Sequence, residues 1–258
     1  MRPRPKSSSS KWKSGRSYAG WFLDTTDAAE YDAAYSTPTY HTHVWGMQKP
    51  WLRGVFTTLR AATPTLKYLD FACGSGRIIA AVEDLVSEAI GVDISASMLA
   101  SARVRLPHVS FREVDILTAP DSIDHDYDVI TAFRFFLNTE PEMRRAIMTD
   151  LAGRLRDSRS RLIFNIHGNP YSYLGLRSLL TDAGRTENRM MHYSETRRLA
   201  EAAGLEIEAW TGFGLMPRWF FGRRHLIGPM TAVDRWAVDH RWLRGISRDL
   251  VFICRRKP

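Results

Sequence analysis

Three aspartates, Asp70, Asp93 and Asp115, close three successive short apolar runs, and Gly74 and Gly76 follow the first of them. The stretch from Leu66 to Gly76 reads Leu-Lys-Tyr-Leu-Asp-Phe-Ala-Cys-Gly-Ser-Gly, a strand running into a glycine-containing turn. Glycines there remove Cβ atoms where a backbone approaches a ligand, and a helix that follows points its first amides at the same place. At the carboxyl edge of a doubly wound sheet this is the position of a nucleotide-like cofactor.

The residue types narrow the kind of cofactor. A dinucleotide site wants a third small residue at position 79, to bring helix and strand together beside the pyrophosphate, and position 79 is Ile. A carboxylate at Asp70 would repel phosphate and attract an ammonium group. Asp93, ending Ala-Ile-Gly-Val-Asp, can accept hydrogen bonds from both hydroxyls of a ribose. Asp115, ending Phe-Arg-Glu-Val-Asp, stands within reach of an adenine amino group.

These residues need a scaffold, and the pattern from Leu66 onward supplies one: apolar runs alternate with helical stretches, as in βα units of a mostly parallel sheet. Strands are expected near 66–71, 88–93, 109–114, 127–133 and 160–166, with later ones at 205–212 and 250–255. Helices fit at 76–86, at 96–104 behind a Ser95 cap, at 140–156, and at 195–203 between a Ser194 cap and Gly204. Upstream, Met47 to Ala62 fits a helix with Pro50 in its first turn.

With strands, glycines and acids in view, residues from Leu66 to Cys254 resemble the class I S-adenosylmethionine-dependent methyltransferases. The resemblance implies an α/β fold: a Rossmann-like, seven-stranded, mostly parallel sheet with helices on both faces and the last strand antiparallel. It implies S-adenosylmethionine as cofactor, with Asp70, Gly74 and Gly76 at its methionine end, Asp93 and Ile94 at the ribose, and Asp115 and Ile116 at the adenine. Phe133 matches a position that contacts the cofactor. Arg77 is placed to meet the methionine carboxylate, and Tyr31 and Tyr35, in Tyr-Asp-Ala-Ala-Tyr, match a segment that folds over the cofactor.

Methyl transfer from a sulfonium is an in-line displacement, so holding the nucleophile in place and excluding water supply much of the acceleration. A hydroxyl acceptor also needs its proton removed. His167 follows the fifth strand at the sheet edge and is the candidate base, while Arg134 and Asn138, after the fourth strand, are candidates to orient the acceptor. The Asn-Pro-Pro-Tyr or Asp-Pro-Pro-Tyr signature of relatives that methylate nucleobases or amide nitrogens is missing from that strand end. The expected reaction is therefore O-methylation of a small molecule or a glycan hydroxyl, with RNA methylation or N-methylation of a small molecule as alternatives. His41 and His43 have a spacing that binds metal on a strand, but without a matching carboxylate cluster no metal site is expected.

The charge is uneven. Residues 1–16 hold six basic residues and no acid, and residues 218–258 hold ten against three acids, in a chain of net charge +8. We expect a disordered basic tail over 1–17, an N-terminal helical cap over 18–62, and a methyltransferase domain over 63–258 with a basic, aromatic insertion at about 213–248. That insertion could contact a membrane surface or a lipid-linked substrate. No recognised RNA-binding module accompanies the basic ends, so there is no firm nucleic-acid signal. Two cysteines, no export signal and no long apolar run give a cytoplasmic expectation.

Overall fold

The computed structural model describes residue 35 and residues 39–180, 190–217 and 224–257. The expected basic tail, the cap before Thr39 apart from Tyr35, and Arg218 to Arg223 lie outside the described residues.

The sheet has seven strands: β1 (Lys67–Phe71), β2 (Glu88–Asp93), β3 (Ser110–Glu113), β4 (Val129–Ala132), β5 (Arg161–Ile166), β6 (Leu205–Phe213) and β7 (Asp249–Arg256). Their order is β3-β2-β1-β4-β5-β7-β6. The first five pair in parallel, and β7 runs antiparallel to both β5 and β6, as expected. The order reverses between β1 and β4, so the loops after these strands open into one crevice.

Alternation along the central strands builds two apolar layers. Leu69 and Phe71, Ile130 and Ala132, Leu162 and Phe164, and Leu250 and Phe252 face one layer. It is closed by Ile147, Met148 and Leu151 of the helix Pro141–Gly153 and by Ala200 of the helix Tyr193–Ala202. Tyr68, Val129, Ile163 and Val251 face the other, closed by the first long helix, α1 (Tyr40–Ala62), and by Leu99 and Ala102 of the helix Ala96–Arg105.

Three boundaries depart from the sequence expectation. Helix α1 begins at Tyr40 rather than Met47, because Thr39 caps it by accepting from Thr42 N at 3.3 Å. Its buried stripe of Tyr40, Val44, Met47, Leu52 and Phe56 keeps the helical spacing across Pro50, which sits in the interior. After Gly76 the chain makes turns and only one α-helical turn, Ile79–Val82, before a 3-10 turn at Glu83–Leu85, where a helix over 76–86 was expected. The later helix starts at Tyr193, and its cap is His192 rather than Ser194. His192 Nδ1 accepts from Ser194 N at 3.2 Å, and Glu195 accepts from His192 N at 2.8 Å.

Between β6 and β7 the insertion forms a helix, Arg224–Asp239, and a 3-10 segment, Arg241–Ile246. It is pinned to α1 by a buried contact, His43 Nε2 to Asp234 Oδ2 at 2.6 Å. Its outer side leaves Trp236 and Trp242 50% and 71% exposed. Among the described residues no helix is long and apolar enough to cross a membrane.

Candidate active site

The turn after β1 carries three residues with left-handed backbone, Ala72 at φ 53°, Gly74 at 54° and Gly76 at 74°. A Cβ on Gly76 would stand 3.3 Å from Leu106, and one on Gly74 would stand 3.0 Å from Met98. Both glycines thus permit the left-handed turn and its packing against Met98, Ala102 and Leu106. Asp93 ties this turn to the end of β2. One carboxylate oxygen accepts from Gly74 N at 2.8 Å and the other from Ser95 N at 2.9 Å. Burial pushes the Asp93 carboxyl up, and these backbone donors oppose the shift.

Asp93 and Asp115 line one cavity of about 450 Å³ that opens to solvent. Ile94, Ile116, Phe71 and Phe135 form apolar walls, and Met143 and Ile147 reach it from the helix Pro141–Gly153. An apolar slot with carboxylates at the ends of two neighbouring strands fits a nucleoside: flat surfaces for a base and acceptors for ribose hydroxyls and an amino group.

Asp70 lies buried at the end of β1. Its Oδ1 accepts from the Thr131 hydroxyl at 2.5 Å, and its Oδ2 is buried without a hydrogen-bond partner. Burial pushes this carboxyl up to about 7, against the Thr131 hydrogen bond and the charge of Arg77. An open carboxylate oxygen of this kind fits an ammonium group. Arg77 lies between the Tyr35 and Trp45 rings, 4.2 Å from each centroid, and its Nε and Nη1 are buried without hydrogen-bond partners.

A second cavity, about 250 Å³, brings together Tyr35, Arg77, Phe133, Arg134, Asn165 and Asp249, with His41, Val44 and Gln48 of α1 above them. Arg134 has φ 61°, unusual for a residue with a side chain. Its backbone is held on both sides, with its N donating to Asn165 Oδ1 at 2.6 Å and its carbonyl accepting from Asn138 Nδ2. Asn138 therefore braces the Arg134 loop, and it is not among the residues lining either cavity. The left-handed residue also breaks strand alternation, so Phe133 faces the second cavity and Phe135 the first.

His167 is half-buried, with Nδ1 buried and lacking a hydrogen-bond partner. Burial, then the charges of Arg134, Arg248 and His41, hold its imidazole well below the usual histidine range, so it is neutral at pH 7. Asp249, buried at the start of β7, is pushed up by burial against the opposing charges of Arg134 and Arg248.

Residues 69–158 match a family model described as a methyltransferase domain. The fold agrees. The structure aligns with magnesium protoporphyrin IX methyltransferase of Synechocystis PCC 6803, crystallised with S-adenosylmethionine and with its demethylated product. With S-adenosylmethionine bound, the TM-score is 0.61 at 14% identity, covering 95% of this chain and all of the other. Residues 69–158 are thus similar to a methyltransferase domain, on a fold shared with S-adenosylmethionine-dependent methyltransferases. A methyltransferase of Clostridium acetobutylicum aligns with a TM-score of 0.54 at 13% identity, covering 82% of this chain and 92% of its own. In sequence, protein 235L of Invertebrate iridescent virus 6, which bears a methyltransferase name, is 34% identical over 67 residues. That match spans 25% of this chain and about a quarter, 24%, of the viral protein.

The fold thus brings Asp93, Ile94, Asp115 and Ile116 to one cavity, and Tyr35, Arg77, Phe133 and Arg134 to another. Tyr31 lies outside the described residues. The sequence reading missed Phe135 and Met143 in the first cavity, and Gln48, Asn165 and Asp249 in the second. The order of the strands gives the reason for Asp249: β7 lies beside β5, so Asp249 arrives next to Asn165 from 84 residues away, at 2.8 Å.

Proposed function

We propose that this chain is a methyltransferase that moves a methyl group from S-adenosylmethionine to an oxygen of a small molecule or glycan. The observation that carries the reading is the apolar cavity lined by both strand-end acids, Asp93 and Asp115. In this reading Asp93 accepts from the ribose hydroxyls, Asp115 from the adenine amino group, and Ile94, Ile116 and Phe135 pack on the base. Asp70 Oδ2 takes the ammonium group, and the Arg77 guanidinium takes the carboxylate. When bound, S-adenosylmethionine supplies a methyl group activated by a positively charged sulfur.

The second cavity is the acceptor site in this reading. Arg134 and Asn165 offer polar contacts, and Phe133 an apolar one. His167, neutral at pH 7, is in the protonation state required to accept a hydroxyl proton. Arg134 orients the acceptor, and Asn138 acts through it by holding the Arg134 carbonyl.

Calorimetric titration of S-adenosylmethionine and S-adenosylhomocysteine into the wild type and Asp93→Ala tests the cofactor assignment. The expected outcome is micromolar binding that the substitution weakens by about tenfold or more, or about 1.4 kcal/mol. Absence of binding by folded wild-type protein would refute it.

A further inference from the structure

Nine large apolar side chains are exposed among the described residues, and seven of them lie in two segments, 171–176 and 233–246. Tyr171, Tyr173 and Leu176 belong to the first, and Trp236, Trp242 and Ile246 to the second. The two segments are tied together. Asn169 Nδ2 donates to Gly245 O at 2.7 Å and to Ser247 O at 2.8 Å, while Tyr171 N donates to Asn169 Oδ1 at 3.1 Å. Trp236 and Trp242 meet edge to face, with ring centroids 6.3 Å apart. Single exposed apolar residues are ordinary, whereas a concentration of them marks a surface that something else covers.

The charges on this surface select the occupant. Arg235 and Arg241 each precede one of the two tryptophans, both are exposed, and neither guanidinium has an ion pair or hydrogen bond among the described residues. Elsewhere Arg53, Arg156, Arg161 and Arg255 each meet a carboxylate. On the helix Arg224–Asp239 one acid, Asp234, is buried against His43 and the other, Asp239, is exposed, and the segment Arg241–Ile246 has no acid. Tryptophan and tyrosine rings have an apolar body and a polar edge, which suits the boundary between lipid headgroups and acyl chains, and arginines beside them reach anionic headgroups. A second copy docked through the same face would instead bring these arginines against each other.

We propose that this face docks onto an anionic lipid bilayer, with Trp236, Trp242 and Ile246 in the interface and Arg235 and Arg241 on the headgroups. Both segments stand at the carboxyl edge of the parallel strands, one after β5 and the other before the antiparallel β7, whose Asp249 lines the second cavity. Docking there holds that cavity beside the bilayer.

The test is co-sedimentation of the full chain with vesicles of phosphatidylcholine alone and of phosphatidylcholine mixed with phosphatidylglycerol. Residues 1–16 carry six basic residues and are themselves drawn to anionic lipid, so binding alone does not decide. The expected result is binding to the mixed vesicles that Trp242→Ala weakens by about tenfold, and that the double substitution Arg235→Gln with Arg241→Gln also weakens. Both positions are exposed, and an unchanged melting temperature certifies each variant as folded. Binding that either variant leaves undiminished overturns the proposal and assigns the attraction to the basic N-terminal residues. Equal binding to both kinds of vesicle, or to neither, also overturns it. A dimer seen by analytical ultracentrifugation without lipid, dissolved by Trp242→Ala in a chain that binds no vesicle, overturns it in favour of a second copy on this face.

Discussion

Thr131 donates its hydroxyl to one carboxylate oxygen of Asp70 at 2.5 Å and leaves the other oxygen buried without a partner. The arrangement costs the free protein stability and leaves a buried oxygen to which, in the proposed function, an ammonium group donates. Burial pushes the Asp70 carboxyl up to about 7, above its value of 3.8 when exposed. Between those values the folded state holds more protons than the unfolded one, so this group makes stability fall as pH rises from about 4 to about 7. Asp70→Asn should therefore raise the melting temperature of the free protein at pH 8 more than at pH 5, and lower cofactor affinity by about tenfold or more at pH 8. Thermal melts at both pH values check the first statement and calorimetry the second. A variant with the same stability difference at both pH values would show that Asp70 does not titrate in this window.

Gly76 separates a structural role from a ligand-binding one. Its φ of 74° and the 3.3 Å approach of a Cβ to Leu106 place the cost of Gly76→Ala in the turn and its packing. A left-handed alanine costs about 1–2 kcal/mol, and a domain of this size then melts lower by roughly 2–4 °C per kcal/mol. Cofactor affinity of the folded variant should change less than about threefold, under 1 kcal/mol. Scanning calorimetry and ligand titration on the same sample separate the two effects. A large loss of affinity with no loss of stability would restore the ligand-approach explanation.

That contrast shows what could be read from the chain alone. The acids at strand ends, the glycines and the alternating apolar runs are local patterns, and Asp93 and Asp115 do share a cavity. Strand positions followed from the same runs to within two residues at almost every boundary. The second cavity was less legible because its walls come from residues far apart in sequence: Gln48 on α1, Asn165 after the fifth run, and Asp249 at the start of β7. Phe133 and Phe135 look equivalent by strand spacing, and only the left-handed backbone of Arg134 sends them to opposite faces. The start of α1 was hidden by His41-Thr42-His43, polar in composition, although His43 is in fact buried against Asp234.

The His43–Asp234 contact makes a prediction about how the insertion is held. Asp234 accepts from His43 Nε2 at 2.6 Å and from Met216 N at 2.9 Å, and its side chain is fully buried. Asp234→Ala strands both donors, so it should destabilise the protein by about 1–3 kcal/mol. The change should also loosen α1, which bears His41 and Gln48 over the second cavity. Hydrogen exchange of the α1 amides should rise in the variant, while those of β1 and β4 stay protected. Uniform loss of protection would mean that the contact supports the whole domain rather than this seam.

Arg77 tests whether stacking or charge matters at the methionine end. Its guanidinium lies between Tyr35 and Trp45, 4.2 Å from each ring, a planar fit that a lysine ammonium cannot reproduce. Arg77→Lys keeps the charge and loses the stack, whereas Arg77→Gln loses the charge. If pre-ordering by the two rings is what aims the guanidinium, Arg77→Lys should weaken cofactor binding nearly as much as Arg77→Gln, each by about tenfold or more. Calorimetry on both variants decides: full affinity in Arg77→Lys would reduce the role to net charge alone.

His167 carries the prediction about chemistry. Burial and the surrounding positive charges keep its imidazole neutral at pH 7, and Nδ1 has no hydrogen-bond partner among the described residues. A histidine acting as base should contribute about 10²–10⁴-fold to the rate. His167→Ala should then lower the single-turnover rate by at least about a hundredfold while leaving S-adenosylmethionine affinity unchanged, because the residue is among those lining neither the cavity of Asp93 and Asp115 nor that of Arg77 and Arg134. The pH profile adds a second check. With the imidazole pKa well below 6.5, the wild-type rate should show no limb due to His167 between pH 6.5 and 8, and the ratio of wild type to variant should be flat across that range. A ratio that rises with pH in that window would mean that the residue titrates there and that the arginines do not set its charge. A rate that His167→Ala leaves intact would assign the residue to packing, and would fit an acceptor whose oxygen is already ionised and has no proton to lose.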